Sequence, residues 1–214
     1  MIITDEQVEK NFNEYISLIQ NNIKRDGVDR LIKWLENKDT KIAPASTRYH
    51  LSCKGGLVAH SLFVYKRLKQ LLDMEYKLQD NTTTCPYTDE TIAIVALLHD
   101  ISKVDFYEVQ ERNTKDENGN WIKVPVYQVK PDDKRFTFGS HAMNSVYMLS
   151  KFINLSYEES LAILHHMGGL DTTEDTLNCR NISEAYIKSP LALFLHFADE
   201  LATFKDETVK DSDE

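Results

Sequence analysis

Ile92-Ala-Ile-Val-Ala-Leu-Leu98-His99-Asp100-Ile-Ser-Lys103 is the most informative stretch of the chain. An unbroken apolar run from Ile92 to Leu98 ends on a histidine and an aspartate. A helix that is apolar all round is a buried one, and this run is far too short to span a bilayer. With Thr88 ahead of it, the spacing predicts a buried helix from about Thr88 through His99-Asp100. An ionised aspartate at the end of such a helix needs a strong compensating charge, and a divalent cation supplies one. Helical neighbours diverge by roughly 100°, so His99 and Asp100 converge on one ion only if it sits over the groove between them. A carboxylate has two oxygens, so Asp100 could also bridge two ions. Lys103, one turn on, is either a helix-end lysine that complements the helix dipole or a point charge for a substrate phosphate.

Outward from this stretch, helical periodicity dominates. Thr4 and Gln7 form a capping box, and Val8, Phe12, Tyr15, Ile19 and Ile23 then share one face. Asp26-Gly27 ends that helix, and Leu31, Trp34 and Leu35 mark a short second one. Residues 39–49, with Pro44, read as a connecting loop. Gly55-Gly56 opens a long helix carrying Leu57, His60, Ser61, Val64, Leu68, Leu71 and Leu72, followed by a polar loop over 79–86. Beyond Lys103 the period changes from helical to alternating. Two such segments flank Asp116-Glu-Asn-Gly-Asn120, which predicts a β-hairpin over 106–129. Pro125 confines its strand to an edge or a bulge. Helices resume near Gly139, with Val146, Leu149 and Ile153 on one face. Ser156 and Glu159 form a second capping box, on a helix expected to stop at Gly168-Gly169. A long loop is expected up to Pro190, which suits the first turn of a last helix, Leu191 to about Phe204.

The expected fold is mainly α: a helical bundle with an inserted hairpin. Residues 1–38 form helices packed on a core domain of 39–205, and 206–214 form an acidic tail. A length of 214 residues suits one compact domain, and disorder is expected only in the acidic segment from Lys205 onward. The formal net charge of −9 argues against duplex nucleic acid but leaves room for small anionic substrates, because a metal site carries its own positive charge. Cys53, Cys85 and Cys179 make an odd set without a Cys-x-x-Cys, which fits a reducing cytoplasm. No signal peptide and no membrane span is expected.

The histidines are His50, His60, His99, His141, His165, His166 and His196. Most have apolar neighbours, and a buried neutral imidazole needs partners for both ring nitrogens. His60 precedes the His99-Asp100 pair on another helix, and Asp199 follows it on a third.

Gly55-Gly-Leu-Val-Ala-His60-Ser, Leu97-Leu-His99-Asp100-Ile-Ser-Lys103 and His196-Phe-Ala-Asp199-Glu together resemble the HD superfamily signature. His141 in Gly-Ser-His-Ala and His166 in His-His-Met-Gly match the extra ligands of its two-metal members. The resemblance covers about 44–204 and extends to Ala43-Pro-Ala-Ser-Thr-Arg-Tyr-His50. Together with Phe106-Tyr107, Arg112-Asn113 and His166-Met-Gly, that stretch is similar to a group of bacterial and phage HD hydrolases. It is also similar to the HD domain of a bacterial 3′–5′ exoribonuclease, although this length leaves no room for that enzyme's RNA-binding domain. Ser102 departs from the glycine that many relatives have in His-Asp-x-Gly-Lys.

The resemblance implies one metal held by His60, His99, Asp100 and Asp199, and a second by Asp100, His141 and His166. Spacing to the glycines favours His166 over His165. Imidazole and carboxylate ligands suit Mn, Fe, Co, Ni or Zn better than Ca or Mg. The implied activity is hydrolysis of a phosphoester or phosphoanhydride, on a nucleotide or related small phosphate. Asp100 and Lys103 would be catalytic, and Arg48, Lys54, Lys103, Tyr107 and Arg112 would contact substrate. The same ligand set serves di-iron HD oxygenases, and a non-catalytic ligand-binding module is a third reading. His50 either faces the site or caps a loop, and His196 is either an outer support or a packed core residue.

Overall fold

The computed structural model describes residues 3–79, 84–171 and 176–208. Eight α-helices among them run α1 (Asp5–Asn22), α2 (Val28–Asn37), α3 (Gly56–Gln79), α4 (Asp89–Leu98), α5 (His141–Ser150), α6 (Tyr157–Leu164), α7 (Thr176–Lys188) and α8 (Pro190–Leu201). One antiparallel hairpin, β1 (Tyr107–Lys115) and β2 (Trp121–Val129), interrupts them between α4 and α5. The fold class is the expected one, and no described helix is long and apolar enough to cross a membrane.

α4 is the axis of the molecule. Every residue from Ile92 to Leu98 is buried, because α1, α3 and α6 pack around it. The Tyr15 hydroxyl on α1 donates to the Leu97 carbonyl at 3.1 Å and so satisfies a backbone acceptor beside His99. α3 and α8 pack on each other. Gly56 lets the start of α3 press against the preceding loop, for a Cβ there would lie 2.1 Å from the Leu51 carbonyl oxygen. Both expected capping boxes are present, at Thr4–Gln7 and Ser156–Glu159.

The hairpin pairs Tyr107 with Val129 and Lys115 with Trp121. Asp116 builds its turn by accepting the backbone N–H groups of Asn118 and Asn120 at 2.9 and 2.8 Å. Pro125 stays in register opposite Glu111, since a two-stranded ribbon has only edges.

Three expectations need correction. Residues 176–188, read as part of a long loop, form α7. A start as polar as Thr176-Leu-Asn-Cys-Arg-Asn hides the period, and the helix is held by docking Ala185 and Tyr186 toward α8 rather than by propensity. α6 ends at Leu164, before Gly168-Gly169, so His165 and His166 lie in the turn beyond it. The acidic segment from Lys205 begins inside the fold. After α8 the backbone widens into a π turn over Ala202–Asp206, Asp206 pairs with Arg67, and Glu207 is buried. Residues 80–83 of the polar loop, 172–175 and 209–214 lie outside the described residues.

Candidate metal centre

Six side chains from four helices and two turns meet at the C-terminal end of α4. His99 caps that helix, and Asp100 leaves the α conformation at φ −105°, ψ 19° before a 3₁₀ turn over Ile101–Lys103. This break resolves the divergence expected of helical neighbours. The His99 Nε2 and an Asp100 carboxylate oxygen lie 3.4 Å apart. His60 comes from the second turn of α3, Asp199 from the last part of α8, His141 from the first residue of α5, and His166 from the turn after α6.

The donor atoms sort into two halves around Asp100. On one side the His60 Nε2 lies 3.2 Å from the His99 Nε2, 3.2 Å from Asp199 Oδ1 and 3.7 Å from Asp100 Oδ2. On the other, the His141 and His166 Nε2 atoms are 3.2 Å apart and 3.7 and 3.6 Å from Asp100 Oδ1. Two ligand atoms each about 2.1 Å from one ion are separated by roughly 3.0–3.4 Å at octahedral or tetrahedral angles, so these spacings fit a shared cation. Two further observations fit it. Asp100 Oδ1 is buried without a hydrogen-bond partner. The outer nitrogens of His99 and His166 donate to the carbonyls of Ala96 and Ile163 at 2.9 and 2.6 Å, which leaves their Nε2 lone pairs facing inward. Facing lone pairs repel unless a proton or a metal ion lies between them.

His60 has a different outer partner. Its Nδ1 lies 2.6 Å from Glu207 Oε1, while Glu207 Oε2 lies 2.6 Å from the His50 Nδ1. These contacts are too short for two ligands of one ion and are hydrogen bonds. Sequence reasoning missed Glu207, whose acidic neighbours made it look like tail. The only signal in the sequence was its position two turns beyond Asp199.

Charge follows the geometry. Burial disfavours protonated His60, but the carboxylates of Glu207 and Asp199 outweigh it and lift its pKa to about 10. Burial would likewise raise Glu207, yet His60 and His50 hold it down to about 2. Asp100 is held well below the usual carboxylate range, against its burial, by Lys103 and His99. Burial lowers His99.

The other candidates divide. The Lys103 ammonium lies 2.7 Å from Asp100 Oδ2 and is largely buried, so it is first of all that carboxylate's partner. Tyr107, at the base of β1, is partly buried, and its hydroxyl is held above its usual range by that burial, with the charges of Lys103 and Asp100 also acting on it. Arg48 and Arg112 line one cavity of about 510 Å³ between the hairpin and the 47–48 turn, and no residue of the metal cluster lines it. Among the described residues neither guanidinium has a carboxylate or carbonyl partner. Lys54 is paired with Asp5 on the surface, 2.7 Å away. His165 caps α6, half-buried, and takes no part in the cluster. His196 supports the cluster from behind through the backbone of His166. Its Nδ1 bonds the His166 carbonyl at 2.8 Å, and its ring fills the space beside Gly168, where a Cβ would lie 2.7 Å away. Ser102, the departure from glycine, donates to the His141 carbonyl at 2.8 Å and accepts from Ser145 at 3.0 Å, which ties the start of α5 to the end of α4.

No curated protein and no solved structure matches the chain. A family model of the HD domain matches residues 57–203, more than half of the chain, and that span takes in His60, His99, Asp100, His141, His166 and Asp199. The chain therefore belongs to the HD-domain family, whose members are in general metal-dependent phosphohydrolases.

Proposed function

We propose that this protein hydrolyses a phosphoester or phosphoanhydride of a nucleotide or related small phosphate, with one or two divalent transition metals held by the cluster. The observation that carries the reading is the convergence of four imidazole Nε2 atoms on the two oxygens of Asp100, with the Asp199 carboxylate 3.2 Å from the His60 Nε2. His60, His99, Asp100 and Asp199 would hold one ion, and Asp100, His141 and His166 the other. Mixed nitrogen and oxygen donors favour Mn, Fe, Co, Ni or Zn. A metal in such a site lowers the pKa of water toward neutrality and offsets charge on phosphoryl oxygens.

The chain's own residues do the rest. Lys103 fixes the bridging carboxylate through one of its three ammonium donors and keeps the others for a phosphoryl oxygen at the edge of the site. Ala96, Ile163 and Glu207 orient the imidazoles, so that little reorganisation accompanies the reaction. Tyr107 walls the site on the hairpin side, and Arg48 and Arg112 offer charge for a part of the substrate farther out. Lys54, occupied by Asp5, is the weakest of the proposed contacts.

The test is a screen of Mn-loaded protein against nucleoside mono-, di- and triphosphates, dinucleotides, cyclic nucleotides and short oligonucleotides. Turnover of at least one class, lost in Asp100→Ala, is expected. Oxygen uptake by iron-loaded protein without any phosphate release would replace hydrolysis by the di-iron reading.

A further inference from the structure

We propose that the cavity between the hairpin and the 47–48 turn binds a phosphate group other than the one cleaved, so that the substrate carries at least two phosphates. The inference rests on the reading that the metal cluster acts on a phosphate. The cavity holds about 510 Å³, the size of a nucleotide rather than of a single ion, and none of the six clustered side chains lines it. One phosphate therefore does not serve both places. Arg48 lines the cavity from the turn and Arg112 from β1. A guanidinium presents planar, paired donors that match the oxygens of a phosphate. Among the described residues neither guanidinium has a carboxylate or carbonyl partner, in a chain whose net charge is −9. The acid that lines the cavity, Glu111, is engaged with Lys123 at 3.0 Å. Val126, Tyr127 and Val129 add apolar lining for a sugar or a base.

Strained backbone holds both walls of this cavity. Among the described residues, the non-glycine residues in the left-handed region are Leu51 and Asp105, at φ 41° and 62°. Such conformations are costly and persist only where surrounding contacts fix them, and they gather at functional sites. Leu51 closes the loop that carries Arg48. Its carbonyl accepts the Ala45 N–H at 3.2 Å, while Ser46 Oγ donates to the His50 carbonyl at 2.7 Å and Ser52 Oγ to the Thr47 carbonyl at 2.9 Å. Asp105 precedes β1 and clamps the base of the hairpin. Its carboxylate pairs with Lys38 at 2.6 Å and with Lys130, just beyond β2, at 3.0 Å, and its N–H donates to Asp39 at 2.7 Å. Both walls also lead to the metal cluster. Arg48 lies two residues before His50, which Glu207 ties to His60. Val129 lines the cavity and pairs across the hairpin with Tyr107, on whose hydroxyl the charges of Lys103 and Asp100 act. The two arginines are thus set in a fixed relation to each other and to the metal ligands.

The test reads binding without metal, so that no ion in the cluster holds the probe. Protein kept in EDTA is titrated by calorimetry with adenosine 5′-monophosphate (AMP), with adenosine and with inorganic phosphate. Wild type should bind AMP, and adenosine and inorganic phosphate each at least about tenfold more weakly. Arg48→Ala combined with Arg112→Ala should weaken AMP at least about tenfold. Lys69→Ala combined with Lys188→Ala removes as much charge from the surface elsewhere and should leave AMP binding within about twofold. If the double arginine variant does not fold, Arg48→Lys and Arg112→Lys decide; each keeps the charge without the planar fork and should weaken AMP at least about threefold. AMP binding that is absent from folded wild type, or unchanged in the arginine variants, overturns the proposal. Adenosine binding as tightly as AMP overturns it too, and inorganic phosphate binding as tightly as AMP makes the cavity a site for the free ion and overturns its assignment to the substrate. Mn²⁺ titration of the same proteins reads the metal centre by itself. Failure of folded wild type to bind Mn²⁺ overturns the phosphohydrolase reading, whereas arginine variants that bind Mn²⁺ normally and AMP poorly support both.

Discussion

The two halves of the cluster are built differently. His60, His99 and Asp199 come from helices α3, α4 and α8, whose packing forms the centre of the fold, and the two histidines are sealed from solvent. His141 and His166 come from a helix start and from a turn, and the His141 side chain keeps 23 % exposure. The first half is positioned by the core itself. The second is positioned by local devices: Ser102 on the His141 backbone, His196 on the His166 carbonyl, and the Arg25–Glu159 pair that anchors α6. The difference teaches that one half of the cluster follows from the packing of the helical core, while the other hangs on local contacts that bury His166 and leave His141 partly exposed.

Asp100→Ala removes the element common to both halves, so it should have the largest effect. It should abolish turnover and prevent the binding of a second metal ion, since the remaining ligands face each other without a bridge. Near-wild-type turnover would rule out the chemistry proposed.

Lys103→Ala should come next. An ammonium is not a ligand while charged, so the variant should keep its metals, and kcat/KM should fall roughly tenfold to a thousandfold. Because metal-free protein then leaves Asp100 without its cation, Mn²⁺ should raise the Tm of Lys103→Ala by more than that of wild type. Equal metal-induced shifts in Tm would mean that the ion pair contributes nothing.

Arg25→Ala probes the open half from a distance. It leaves the buried Glu159 carboxylate without its bidentate partner and should cost about 2 kcal/mol of stability. Burial alone would raise the Glu159 pKa, but Arg25 and the Ser156 N–H hold it below its usual value of 4.5. Its stabilisation is therefore present above pH 4.5 and lost as pH falls through the lower folded value. Acid unfolding curves of Arg25→Ala should show a weaker dependence in that window, and metal binding at His141 and His166 should weaken more than binding at His60 and His99.

Ser102→Gly is expected to have the smallest effect, about 1 kcal/mol by thermal unfolding, from the lost hydroxyl bonds to His141 and Ser145. Mn²⁺ affinity at the His141–His166 half should fall about two- to fivefold. A change confined to the His60–His99 half would contradict the division into halves.

How far the sequence revealed this site depended on where each residue sits. The candidate ligands on the apolar helices are plain, because an apolar run that ends in His99-Asp100 and an apolar last helix that carries Asp199 put carboxylates where burial demands a compensating cation. The hairpin is plain from its alternation and its Asp116-Glu-Asn-Gly-Asn120 turn. What escaped depends on tertiary placement. α7 has too polar a start to show a period, and nothing local marks it as docked on α8. Glu207 is one acid in an acidic run, and only the π turn aims it at His60. Lys103 reads in sequence as a helix-end lysine or a phosphate contact, and its 2.7 Å contact with Asp100 shows only in the fold. Likewise Lys54 and the two arginines look alike in sequence, while the fold gives one of them to Asp5 and leaves the other two on a shared cavity.

The most direct measurement of the central claim is anomalous diffraction from crystals of this protein grown with Mn²⁺, with data collected where manganese scatters anomalously. The account predicts a strong peak about 2.0–2.3 Å from the His60 and His99 Nε2 atoms and the Asp199 carboxylate, with Asp100 between it and a second peak beside His141 and His166. A map without density among these six side chains, or with manganese bound elsewhere, would contradict it.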